Sequence, residues 1–208
     1  MLISMLLSSP TLFVLWVVAV IFGITIHEFS HGLAARLQGD HTAEHAGRLT
    51  LNPLAHIDWV GFFLLVIAGF GWAKPTPFNP YNLKYKRFGS ALVALAGPIA
   101  NITAVVVFGG FLALAARFTS LADTNLMMIF LVLLVQINLL LAVFNFIPIP
   151  PLDGSKMLYS FIGQQYPQVV VFLERYGVWL LIGLIFFGDQ YIARLFDFFY
   201  SLTLQLIF

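Results

Sequence analysis

The sequence predicts an all-α polytopic membrane protein of about five transmembrane helices, with a short membrane-associated β-hairpin or re-entrant segment between the first and second. Three observations carry this. Of the 208 residues, 61% are hydrophobic and 9% are charged, against about 25% charged in an ordinary soluble domain. Residues 88–116 and 124–152 each run 29 positions without Asp, Glu, Lys or Arg, longer than the roughly 20 apolar residues a membrane-crossing helix needs. A further apolar stretch, residues 57–72, has only 16 positions and includes Asp58. As a helix it reaches about 24 Å, short of a hydrocarbon core of roughly 30 Å.

The elements follow in order. Helix one is expected from Thr11 to about Leu37, with Pro10 after Ser8-Ser9 suiting a helix start. Its apolar beginning resembles a signal peptide, but residues 1–10 hold no Lys or Arg and the run continues into polar positions, so it reads as a retained helix. Gly39-Asp40 breaks it. Residues 47–52 then alternate like a short strand that Pro53 stops. A strand at membrane depth is tolerated only where its backbone is paired or lines a wet cavity. The stretch 73–87 is a loop punctuated by Pro75, Pro77 and Pro80, and it carries Lys74, Lys84, Lys86 and Arg87. Spans over 88–116 and 126–147 follow, then a Pro-rich break into Leu152-Asp153-Gly154, then two weaker apolar segments near 168–187 and 190–208. No repeat or second domain is visible. Residues 1–208 read as one integral-membrane domain, with a core of about 10–160 and C-terminal helices over about 165–208.

Composition excludes several functions. A net charge of +1 offers no footprint for nucleic acid. With no cysteine there is no disulfide, Cys-ligated zinc, iron–sulfur cluster or Cys nucleophile.

The chemistry concentrates in His27-Glu28-Phe29-Ser30-His31. Residues i and i+4 share a helix face, so both imidazoles reach one metal ion, and the adjacent carboxylate is placed to take a proton from a metal-bound water. Ionisable groups inside a membrane helix are expensive and mark function. A catalytic zinc site takes three protein ligands and an open position. His41, His45, His56, Asp58 and Asp153 are the candidates for the third. Charge bias bears on the choice, because Lys and Arg favour the cytoplasmic side. Arg36 and Arg48 precede the short apolar stretch, while Lys74, Lys84, Lys86 and Arg87 follow it. With both flanks cytoplasmic, 57–72 dips in and returns. Asp153 then arrives on the same side, and at a similar depth, as His27 and His31.

These residues resemble the site-2 protease family of intramembrane zinc metalloproteases. HEFSH looks like its zinc motif, and Asn145-Phe-Ile-Pro148 through Leu152-Asp153-Gly154 like its second signature. Gly97-Pro98-Ile-Ala-Asn101 resembles its central-helix motif. Residues 49–58 followed by Trp72-Ala-Lys74-Pro75 resemble its small prokaryotic members, which lack PDZ and CBS domains. The resemblance implies one zinc ion held by His27, His31 and Asp153, with Glu28 as catalytic base. It implies hydrolysis of peptide bonds in transmembrane or membrane-associated protein substrates. Asn145 would position the unwound substrate backbone, and Asn101 would either do the same or form hydrogen bonds between packed helices. The 47–52 strand, through Thr50, Leu51 and Asn52, would either pair with an extended substrate or plug the bundle. Expected partners are a transmembrane protein or peptide and the lipid bilayer, without nucleic acid. The expected location is the plasma membrane of a prokaryote, with the site toward the cytoplasm. A metal-ion transporter and a non-catalytic scaffold that binds membrane helices are the competing classes.

Overall fold

The computed structural model describes residues 2–122 and 124–208. Helices α1 (Leu2–Ser8) and α2 (Pro10–Leu37) open the chain, followed by the single-turn α3 (Thr42–His45) and the short α4 (Trp59–Ala68). Then come α5 (Gly89–Phe118), α6 (Leu126–Asn145), α7 (Asp153–Ile162), α8 (Pro167–Phe187) and α9 (Asp189–Ile207). Four of these, α2, α5, α6 and α8, are long and apolar enough to cross a membrane. Together with the family reached below, they make this a multi-pass membrane protein. The expected fifth span falls on α9, which is helical but has Asp189, Arg194 and Asp197 within its 19 residues; it is not among the four.

Helices α2, α5 and α6 pack together around two apolar clusters, Ala19, Val20, Leu134 and Ile137 on one side and Val105, Val135, Leu139 and Val143 on the other. Small residues let the backbones approach, as membrane helices require. A Cβ at Gly23 of α2 would lie 2.8 Å from Leu141 of α6. The outward faces stay apolar, with Val14, Val18, Val106, Val107 and Phe111 exposed. The buried polar residues include His27, Glu28, His31, Asn101, Asn138 and Asp153. A polar interior with an apolar exterior is the arrangement lipid selects.

Residues 47–52 correct the expectation of a strand. They form turn and bend, and no strand occurs among the described residues. The local polar groups are spent otherwise. Gly47 takes a positive φ of 67°, Thr50 Oγ1 accepts from the Asn52 amide, and Asn52 Oδ1 caps the next turn at Leu54. Alternation supplied the pattern without a neighbouring ladder to pair with.

The 57–72 stretch does double back. Asp58 caps α4 by accepting from the Gly61 amide at 2.9 Å, and Gly69 ends it in the left-handed conformation at φ 75°. The chain then returns along the helix, where Gly61 lies against the Trp72 backbone and Gly71 against Leu65; a Cβ at either glycine would overlap these neighbours. The Lys74 amide closes the excursion by donating to the His56 carbonyl at 3.0 Å.

Candidate metal centre

The site sits where α2, α5 and the start of α7 meet. His27, His31 and Asp153 offer ligand atoms within 4.8 Å of one another, and all three residues are buried. Nε2 of His27 and Nε2 of His31 each lie 3.0 Å from Asp153 Oδ2. Their rings stand nearly perpendicular, with centroids 4.6 Å apart, as the i, i+4 spacing requires.

The outer nitrogens reveal the state of the inner ones. The hydrogen-bond network fixes the direction of each bond. Asn138 Nδ2 donates to the Leu134 carbonyl at 2.8 Å, so its oxygen accepts from Asn101 Nδ2 at 2.8 Å. Asn101 Nδ2 also donates to the Gly23 carbonyl at 3.1 Å. Asn101 Oδ1 therefore faces His27 Nδ1, at 2.6 Å, as an acceptor. On the other ring His31 Nδ1 donates to the Val93 carbonyl at 2.7 Å. Both imidazoles thus place a proton on Nδ1, and in the neutral tautomer this leaves each Nε2, which faces the carboxylate, free to bind a metal. Three acceptors converging in a buried site call for a cation, and two imidazoles with one carboxylate fit zinc with its fourth position open. The carbonyl and amide behind the rings are the outer partners that orient metal-binding histidines.

Helix α5 supplies room as well as partners. A Cβ at Gly97 would come within 2.6 Å of ring atoms of both His27 and His31, so only glycine lets α5 pass so close. Pro98 follows inside the helix, where it lacks an amide and loosens the preceding turn.

Asp153 reaches the site because the break after α6 turns the chain. Gly154 packs against the carbonyls of Phe146 and Ile147, which seats the first turn of α7 under the bundle. Asp153 is the first residue of α7; its carboxylate faces the imidazoles, with Lys156 Nζ at 3.5 Å from Oδ1. Glu28, next to His27 on α2, is held by the loop at 74–76. The Thr76 amide donates to its Oε2 at 2.7 Å, and Thr76 Oγ1 donates to its main-chain carbonyl at 3.1 Å.

The remaining candidates lie elsewhere. His41 is exposed and paired with Glu44 at 2.7 Å, stacked on His45. His56 is fully enclosed, with Nε2 donating to the Thr50 carbonyl at 2.8 Å. Asp58 caps α4. Asn101, expected either at the substrate or between packed helices, is 0% exposed and uses its polar atoms on His27, Gly23 and Asn138. Asn145 is half-buried at the end of α6, bonding the Leu141 carbonyl of its own helix at 2.9 Å. Thr50 is half-buried, while Leu51 and Asn52 are exposed on the bend. Thr76, Val93 and Asn138 escaped the sequence reading. Of these only Asn138 carried a signal, as a polar residue within a charge-free span.

Comparison with known proteins agrees with this chemistry. The model of peptidase family M50 matches residues 107–186. Three relatives are provisionally named zinc metalloproteases. YwhC of Bacillus subtilis is 36% identical over 171 residues, 77% of this chain and 75% of the relative. MJ0611 of Methanocaldococcus jannaschii is 31% identical over 72% of each chain. Rip2 of Mycolicibacterium smegmatis is 28% identical over 86% of this chain and 69% of the relative. No solved structure matches. The identity and the coverage shared with YwhC and MJ0611 place the chain in peptidase family M50, the site-2 protease family of membrane zinc metalloproteases.

Proposed function

We propose that this chain is an intramembrane endopeptidase that hydrolyses peptide bonds of transmembrane or membrane-associated proteins. The observation that carries the reading is the convergence of two Nδ1-protonated imidazoles and one carboxylate beside Glu28. His27, His31 and Asp153 hold one zinc ion. When bound, the metal supplies Lewis-acid chemistry, activating a water and polarising the scissile carbonyl. Glu28 accepts the proton released by the attacking water and delivers it to the leaving amine. Its Oε2 is already held by the Thr76 amide, so the carboxylate starts from a fixed position. Asn101 and the Val93 carbonyl keep both rings in the tautomer that binds metal. With Asn101 so committed, contact with an unwound substrate falls to Asn145 and to the bend at Thr50, Leu51 and Asn52.

Residues 1–208 act as one peptidase unit in a prokaryotic plasma membrane. The basic loop 73–87 with Arg36 and Arg48 supports a cytoplasmic position for both ends of the α4 excursion and for the site. The test is purified Glu28→Gln offered single-span peptides. Cleavage is expected to vanish while zinc is retained. Undiminished cleavage would remove Glu28 from the mechanism.

A further inference from the structure

Arg48 is a buried cation in an unusual position. It is 5% exposed, its Nε has no hydrogen-bond partner, and no carboxylate lies within ion-pair distance of it among the described residues. Burying a charge without a paired carboxylate is costly, so the contacts it does make carry weight. Its Nη2 donates to the Lys74 carbonyl. The same nitrogen lies 3.5 Å from His56 Nδ1, which is the accepting nitrogen because Nε2 donates to the Thr50 carbonyl. Both backbone polar groups of Lys74 are therefore engaged: its carbonyl by Arg48, its amide by the His56 carbonyl at 3.0 Å.

Two residues further on, Thr76 grips Glu28. The chain between them is stiff. Pro75 and Pro77 have φ fixed by their rings, and Lys74 and Thr76 each precede a proline, which confines them to extended backbone. A displacement of the Lys74 carbonyl is thus passed to the Thr76 amide. The two charges also sense each other. Burial pulls the Arg48 guanidinium below its ordinary value, and the Glu28 carboxylate acts in the opposite direction.

We propose that Arg48 is a positioning residue for Glu28, holding the Lys74 carbonyl so that the proline-stiffened segment 74–76 presents the Thr76 amide to the Glu28 carboxylate. This rests on Glu28 acting as the proton carrier in peptide hydrolysis. The excursion through α4 then serves the site, because the bend at 47–56 and the returning segment 70–76 are locked together at the point that fixes the base.

The experiment uses the full chain and the variants Arg48→Gln, Arg48→Lys and Glu28→Gln. Amide hydrogen exchange is read on metal-free protein. Pro75 and Pro77 carry no amide, so segment 74–77 reports on Lys74 and Thr76 alone. In Arg48→Gln these amides should exchange about tenfold faster or more. The kcat on a single-span peptide should fall about 100-fold. KM and zinc content should stay within about twofold, and the visible spectrum of cobalt-substituted protein should be unchanged. Arg48→Lys, which keeps a donor for the Lys74 carbonyl, should recover much of the kcat. Unchanged exchange in Arg48→Gln, or an unchanged kcat, would overturn the proposal. So would a kcat loss matched by loss of zinc or an altered cobalt spectrum, since that marks a general scaffold. If Arg48→Gln does not fold, Arg48→Lys is read on the same two axes, and faster amides with an unchanged kcat would overturn it. Cleavage retained by Glu28→Gln would instead defeat the hydrolytic role of Glu28, a failure visible apart from the exchange data.

Discussion

At the scale of single residues, Asn101 decides the state of a proposed metal ligand. Its amide is oriented by Gly23 and Asn138, and that orientation gives His27 Nδ1 an acceptor. Asn101→Ala should weaken zinc binding about 10- to 100-fold, the usual cost of losing such an outer partner, as measured by competition with a chelator. Gly97→Ala separates helix stability from site geometry. Alanine favours a helix interior over glycine by about 1 kcal/mol, yet its Cβ would crowd both imidazoles. The expected result is lost zinc with the helical content retained; full zinc occupancy would refute the close-approach argument. The pairing of His27 with His31 was legible from spacing; Asp153 was one of five candidates, favoured by topology and named by the family resemblance. The partners behind them were not legible. Asn101 meets Asn138 across 37 positions of sequence, and Thr76 meets Glu28 across 48; both contacts exist only once the helices have packed.

At the scale of elements, the α4 excursion was legible from length and charge, while the strand before it was not real. Alternation over 47–52 looked like half-buried sheet, but a period of two specifies a strand only where a partner offers a ladder. Here the side chains of Thr50 and Asn52 turn to their own backbone. The returning segment needs Gly61 and Gly71 to lie against α4. Gly61→Val should therefore displace it, raising protease sensitivity near residues 69–74 and reducing activity, whereas the same change at Gly110, which has open space around it, should do neither. A second tie is Asp40, fully enclosed between α2 and the turn at 79–82. Burial pushes its carboxyl up, but hydrogen bonds from Thr42, Asn79 and Asn82 outweigh this and hold it below its ordinary value. Its contribution to stability is therefore complete above the unfolded value of about 3.9 and is lost as pH falls through the lower folded value. Asp40→Asn should cost about 1–3 kcal/mol at neutral pH and flatten this part of the acid limb in denaturation measured against pH. An acid limb identical to that of the unaltered chain would contradict the tie.

At the scale of the whole molecule, the fold class followed from composition, and the helical bundle with its polar interior agrees with it. Four helices are long and apolar enough to cross, and the fifth expected span falls on α9, which mixes apolar residues with Asp189, Arg194 and Asp197. The proposed topology has a direct check, since the chain has no native cysteine. Leu51→Cys and Tyr81→Cys, at exposed positions on either side of α4, should be labelled by an impermeant reagent from the same face of the membrane, and Ser120→Cys from the opposite face. Labelling of Leu51→Cys and Tyr81→Cys from opposite faces would mean that α4 crosses. All of this converges on one geometric claim, that Asp153, 126 positions beyond His27, completes a metal site begun in α2. The most direct measurement is zinc stoichiometry of purified protein. The unaltered chain should hold about one zinc per molecule, and Asp153→Ala should lose it while keeping its helical content. Asp153→Ala that still retains a full zinc equivalent would contradict the ligand set.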